Sequence, residues 1–151
     1  MSELVGEVEN NPLNDTWILY AHLPHDTDWS INSYKKILKI NTAEQIISVC
    51  ESLPEAMVQN CMLFLMRENI KPIWEDENNK DGGCFSYKIN NKNVSDIWKK
   101  LSCLLVGESL INERMSLKIN GITISPKKHF CIIKIWLDTC EYQNPNIFID
   151  I

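Results

Sequence analysis

Apolar positions along the chain fall into short runs separated by polar, turn-forming segments, which is the spacing of strands rather than long helices. Trp17 to His22 reads Trp-Ile-Leu-Tyr-Ala-His, aromatic and branched residues that suit a pleated surface. Lys36 to Ile40, Cys61 to Arg67 and Cys84 to Ile89 have the same character, the last two joined by a long polar segment closing on Gly82-Gly83. Further strands are expected at Met115 to Ser125, broken at Asn120-Gly121, at His129 to Leu137, and at Asn146 to Ile151.

Two segments instead carry a helical period. Thr42 with Gln45 forms a capping-box pattern ahead of Ile46, Ile47, Val49, Cys50 and Leu53, and Pro54 ends that helix. Ser95-Asp96 are expected to cap a second, in which Ile97, Trp98, Leu101, Leu104 and Leu105 share one side and Gly107 stops the turn. The first dozen residues show no period and read as a flexible arm over 1–12, leaving one domain over 13–151. Six to eight strands with short connections and few helices predict an α+β fold, an antiparallel sheet with helices on one face.

Composition narrows the function. The chain has 151 residues, 44% hydrophobic and 23% charged, ordinary for a globular domain and too apolar for disorder. No run approaches the roughly 20 apolar residues that cross a bilayer. The amino terminus, with Glu3, Glu7 and Glu9, lacks the basic flank and apolar stretch of an export signal, so a cytoplasmic protein without membrane contact is expected. Six cysteines without a C-x-x-C pair read as reduced, mostly buried thiols. A net charge of −5 argues against a surface that wraps a long nucleic acid. With 13 lysines and two arginines, few bidentate anion clamps can exist.

Signs of catalysis are absent from the pattern. His22 and His25 have no partner at zinc-like spacing and read as surface residues, and no phosphate-cradling glycine loop or nucleophile motif occurs. Neither a metal nor a cofactor is expected, and the chain does not read as an enzyme. The exceptional segment is Trp74-Glu75-Asp76-Glu77-Asn78-Asn79-Lys80-Asp81-Gly82-Gly83, where a tryptophan stands in a run too polar for a core. One reading is a solvated hairpin with a single anchoring indole. The other pairs Trp74 with Trp29, also on a polar loop: two indoles could sandwich a flat ligand while Glu75 accepts N–H bonds from its edge.

The segment from Trp74 to Gly83 closely resembles the signature of the translation initiation factor 4E family, which binds the 5′ cap of messenger RNA. Asn11-Pro12-Leu13 to Trp17 resembles the opening of the family's first strand, Trp98 to Ser109 its second helix ending Val-Gly-Glu-Ser, and Ile135-Trp136 its later Ile-Trp pair. The resemblance implies a curved sheet of about six to eight strands with two or three helices on its convex face. It also implies that Trp29 and Trp74 stack on the two faces of 7-methylguanine, that Glu75 reads its edge, and that Trp136 contacts the methyl group. For the phosphates it points to Lys127, with Lys128 or Lys134 as the second base, because the family's second basic position falls on Ile132. Solvated surface lysines are the alternative at these places.

For a scaffold partner, the resemblance points to Pro12, Ile47, Lys99, Lys100 and Cys103 on the helical side. Ile47 stands where the family carries a tryptophan, so a divergent partner is expected there. The fifteen residues after Trp136 leave too little chain for the family's last long helix. Two functions follow: a compact cap-binding translation initiation factor acting on capped mRNA, or a degenerate member serving as a repressor or protein-interaction module with weak cap binding.

Overall fold

The computed structural model describes residues 11–111, 117–141 and 147–148. Six strands form one curved, open sheet: β1 (Pro12–His22), β2 (Lys35–Thr42), β3 (Met62–Arg67), β4 (Gly83–Asn90), β5 (Ile119–Pro126) and β6 (Phe130–Leu137). Their order is β2-β1-β3-β5-β6-β4, and every neighbouring pair is antiparallel. Four helices accompany them: α1 (Ala43–Ser52), α2 (Glu55–Asn60), the single turn α3 (Glu77–Lys80) and α4 (Asn91–Val106). The expected α+β class is what the chain adopts, with α2 and α3 as additions. Residues 1–10 of the expected arm, and most of the strand expected at Asn146 to Ile151, lie outside the described residues. Ile147 and Phe148 are described, and Phe148 bridges to Ile111.

Alternation along β6 divides the two faces. Cys131, Ile133, Ile135 and Leu137 are buried under the helices, while Ile132, Lys134 and Trp136 point to the open face and are half-buried. In β1 and β3 both faces are covered. Trp17, Leu19, Leu63 and Leu65 join the main core with Trp98, Leu101 and Leu105 of α4. Ile18, Tyr20, Phe64 and Met66 form a second cluster on the opposite face, completed by Ile70 from the segment after β3. That segment folds back over the sheet, which is why both strands read as unbroken apolar runs.

Local chemistry sets the helix ends. Thr42 and Gln45 form the expected capping box: the Gln45 amide donates to Thr42 Oγ1 at 3.2 Å, and the Thr42 amide to Gln45 Oε1 at 3.1 Å. Pro54 follows the end of α1 and also caps α2, a helix the pattern missed because six residues carry less than two turns. The start expected at Ser95-Asp96 is wrong. Asn90 caps α4, its side chain accepting from the Lys92 amide at 3.1 Å, and Ser95 is buried inside the helix. The break expected at Asn120-Gly121 is instead a bulge within β5, where the register shifts against β6. A side chain at Gly121 would collide with Met66 and the Leu65 carbonyl, so only glycine admits that approach.

The Gly-Glu-Ser end of α4 has an electrostatic purpose. Gly107 caps the helix, and Glu108 takes φ 56°, a left-handed conformation that costs a non-glycine residue about 1–2 kcal/mol. The turn aims its carboxylate at Arg67, which is 3% exposed, with oxygens 2.7 and 2.8 Å from the two guanidinium Nη atoms. Asp15 takes another bond at 3.0 Å, the Ile119 carbonyl accepts from Nε at 2.8 Å, and the guanidinium lies 4.3 Å from the Trp17 ring. Burial pushes the Asp15 carboxyl up, but the Thr16 amide and Arg67 outweigh it and hold it below the usual range. All six cysteines are free, yet only Cys50 and Cys131 are buried; Cys84, Cys103 and Cys140 are exposed, against expectation. Cys84 faces the open side of an alternating strand, where apolar neighbours in sequence do not become neighbours in space.

Candidate functional site

Two loops flank the open face, and each is locked locally before it presents a tryptophan. In the loop after β1, the Asp28 amide donates to Asp26 Oδ1 at 2.9 Å and the Ser30 amide to Asp28 Oδ1 at 2.8 Å. The Ser30 bonds, with a smaller contribution from His22, hold the Asp28 carboxyl below its ordinary value. A 3-10 turn at Ile31–Ser33 then returns the chain to β2. Between these turns Trp29 lies flat on His22, ring centroids 3.8 Å apart and planes 3° from parallel. Tyr34 packs its edge against His22 at 5.2 Å and meets Phe64 at 5.1 Å, so the loop is rooted in the open-face cluster.

His22 is 1% exposed, not the surface residue its spacing suggested. Its ring nitrogens stand 2.8 Å from the Asp28 carbonyl oxygen and 3.1 Å from that of Leu23. The signal was present in the alternation: Ile18, Tyr20 and His22 occupy one face of β1, and the first two belong to the open-face cluster.

The loop after β3 is held by amides and a carboxylate. Asp76 caps α3, accepting from the Asn78 amide at 2.8 Å, and its other oxygen takes the Lys71 amide at 2.8 Å. Burial raises the Asp76 carboxyl, but these bonds and the nearby Lys71 charge prevail and depress it. Asn79, 2% exposed, donates to the carbonyls of Lys71 at 3.1 Å and Ile73 at 2.8 Å. Asn120, from the bulge of β5, donates to Asn79 Oδ1 at 3.0 Å and the Asn78 carbonyl at 2.8 Å. Residues 71, 73 and 76 are thus tied inward, and Trp74 and Glu75 between them are left outside. Gly82 ends the loop where any side chain would strike the Leu137 carbonyl.

Trp74 and Trp29 are the most exposed large apolar side chains among the described residues, at 55% and 53%. Glu75 is exposed too, and its charge, after burial, helps raise the Tyr34 hydroxyl above its ordinary pKa. The second loop therefore reaches the neighbourhood of the first. Trp136 lies half-buried on the open face, Nε1 donating to Thr123 Oγ1 at 3.4 Å. Lys134 shares that face, paired across the sheet with Ser86 and Thr123. Lys127 and Lys128 are exposed on the turn between β5 and β6, and Lys127 lines with Trp29, Leu23, Met62 and Ser125 a cleft of about 530 Å³. The fold joins Lys127 to the Trp29 side and Lys134 to Trp136, and sets Lys128 at the tip of the turn. Sequence reasoning missed His22, Tyr34, Asn79 and Asn120. For Asn120 no signal existed, since Asn-Gly reads as a turn.

On the opposite side of the sheet, Ile47 is 51% exposed on α1, Lys100 and Cys103 are exposed on α4, and Lys99 is half-buried. Cys50 joins the two helices, its sulfur 3.8 Å from the Lys99 carbonyl and 4.0 Å from Cys103 Sγ. Burial, then the nearby Cys103, pushes the Cys50 thiol up to about 12, so it stays protonated. Pro12 opens β1 beside the start of α1, where the Ala43 amide donates to the Asn11 carbonyl at 2.8 Å. Among the described residues no helix is long and apolar enough to cross a membrane, and no cluster of metal-ligating side chains occurs.

A family model described as Eukaryotic initiation factor 4E matches residues 12–150. The chain belongs to that family. It is 28% identical to the eukaryotic translation initiation factor 4E of Candida albicans over 141 residues, covering 87% of this chain and 66% of that protein. A eukaryotic translation initiation factor 4E homolog of Acanthamoeba polyphaga mimivirus is 36% identical over 111 residues, 73% of this chain and 37% of its own length. The chain thus spans about two thirds or less of these family relatives. Among solved structures, Ascaris suum eIF4E-3 with m7G cap superposes with a TM-score of 0.78 at 21% identity, covering 91% of this chain and 79% of the other. C. elegans eIF4E-3 with the 4E-binding protein Mextli and a cap analog gives 0.79 at 22%, covering 91% and 80%. These likenesses establish the family's fold for this chain.

Proposed function

We propose that the protein binds the 7-methylguanosine 5′ cap of messenger RNA and acts in translation initiation in the cytoplasm, by binding rather than by catalysis. The observation that carries this is the pair of outward indoles, Trp29 and Trp74, on separately locked loops with Glu75 beside the second. Methylation makes guanine cationic, and a cation between two indole faces gains about 2 kcal/mol or more once desolvated. Glu75 accepts from the ring N–H and exocyclic amine, a charge-assisted pair that adenine cannot supply. Trp136 meets the methyl group, and Lys127 holds the phosphates with Lys128 or Lys134. The m7G cap present in the Ascaris suum complex supports the same chemistry here.

The helical face, with Pro12, Ile47, Lys99, Lys100 and Cys103, receives a scaffold partner. The C. elegans complex contains a 4E-binding protein, which supports a partner of that kind. Exposed Lys100 and half-buried Lys99 on α4, on the same side of the sheet as exposed Ile47, favour a divergent partner bearing acidic residues, and they are also what supports the second reading, a repressor or protein-interaction module. Titration with 7-methylguanosine triphosphate should quench tryptophan fluorescence, while unmethylated guanosine triphosphate should leave it nearly unchanged. Glu75→Gln should weaken the methylated ligand by about 1.5–3 kcal/mol without moving the melting temperature. Equal quenching by both nucleotides would defeat the cap reading.

A further inference from the structure

We propose that His22 is a positioning residue for ligand stacking: it backs Trp29, so that the indole offers a single face to a flat cationic base, the face turned away from the imidazole. The inference rests on the cap-binding reading and adds the side on which the base enters and the residue that sets it. With centroids 3.8 Å apart and planes 3° from parallel, the two rings are in contact across a whole face, and no ligand can pass between them. His22 is fixed from the other directions. It is 1% exposed, both ring nitrogens face main-chain carbonyls at 2.8 and 3.1 Å, and the Tyr34 edge closes on it at 5.2 Å. Trp29, by contrast, is 53% exposed on a polar loop. An indole so exposed samples several rotamers unless something holds it, and ordering such a side chain on binding weakens affinity by about threefold to tenfold. The imidazole removes that penalty in advance. Among the described residues no ring stacks on Trp74. The site therefore has a preset wall, imidazole under indole, and a second wall that completes the stack when the base arrives.

The test compares wild type, His22→Phe and His22→Ala, with His22→Leu refilling the space without a planar ring should the alanine variant not fold. In the free protein, relaxation of the Trp29 indole N–H resonance, assigned with Trp29→Phe, reads the order of that ring. The phenylalanine variant should keep Trp29 ordered and bind 7-methylguanosine triphosphate within about twofold of wild type. The alanine or leucine variant should loosen Trp29 and lose about threefold to tenfold in affinity, with the gain from mono- to triphosphate unchanged because the lysines are untouched. A Trp29 equally ordered without the ring, or unaltered affinity in a protein that does bind the methylated nucleotide, would overturn the positioning role and leave cap binding standing. Failure of wild type to bind, with Trp29 order still depending on residue 22, would remove the cap reading and uphold the backing of Trp29.

Discussion

The loops carrying Trp29 and Trp74 expose their indoles almost equally, 53% and 55%, but hold them by different forces. The first is rooted in rings: His22 under Trp29, Tyr34 against His22, Phe64 against Tyr34. The second is rooted in polar groups, with Asp76, Asn79 and Asn120 gathering the amides and carbonyls of residues 71, 73 and 78. Ring contacts are short-ranged and tolerant of similar shapes, whereas a buried amide network is intolerant, because each lost member strands its partners without water. Equal exposure of two functional side chains therefore hides unequal vulnerability in what supports them.

The largest effect should come at the root of the polar loop. Arg67→Met strips the guanidinium from Glu108, Asp15 and the Ile119 carbonyl, and should destabilise by about 3–5 kcal/mol, read from the denaturant midpoint. A loss below about 1 kcal/mol would mean that the half-exposed carboxylates hydrate freely and that the ion cluster anchors little.

Asn79→Ala isolates the network itself. It leaves the Lys71 carbonyl unpaired, strips one bond each from the Ile73 carbonyl and the Asn120 amide, which keep only the Asp76 amide and the Asn78 carbonyl, and should cost about 1–3 kcal/mol in thermal or denaturant unfolding while weakening ligand binding through Trp74 and Glu75. A wild-type melting curve would show that water replaces the side chain and that the contrast between the loops is smaller than the burial suggests.

The smallest effect separates two aspartates. Asp28 and Asp76 both have depressed carboxyl pKa values, so each contributes stability that is present above the unfolded value and is lost as pH falls through the folded one, from about pH 4 downward. Asp76 ties an amide five residues away in a half-buried loop, and Asp28 only one two residues on, fully exposed. Asp76→Asn should flatten acid unfolding measurably, and Asp28→Asn should leave it unchanged within error. The reverse order would reassign the acid sensitivity to the ring-held loop.

Much of this was legible in the chain. The strand alternation, the Thr42 capping box, the stop at Gly107 and the outward Trp74 and Glu75 follow from local rules, because period, cap geometry and polarity act between residues close in sequence. Ser95-Asp96 misled for the same reason: a good cap pattern was overridden by Asn90, which started α4 more than a turn earlier and buried Ser95. The cysteines misled because apolar neighbours along a strand alternate between faces.

Sequence alone therefore determined the α+β class, the main strands and the two longer helices, and pointed to the tryptophans that stand outside the core. Tertiary structure decided what holds those tryptophans. His22 lies seven residues before Trp29 and Asn120 lies 41 after Asn79, and neither residue type carries a local sign of its partner. Stacking and buried hydrogen bonding need contact at a few ångströms, and only the closing of the sheet, with both loops folded against its open face, creates that contact.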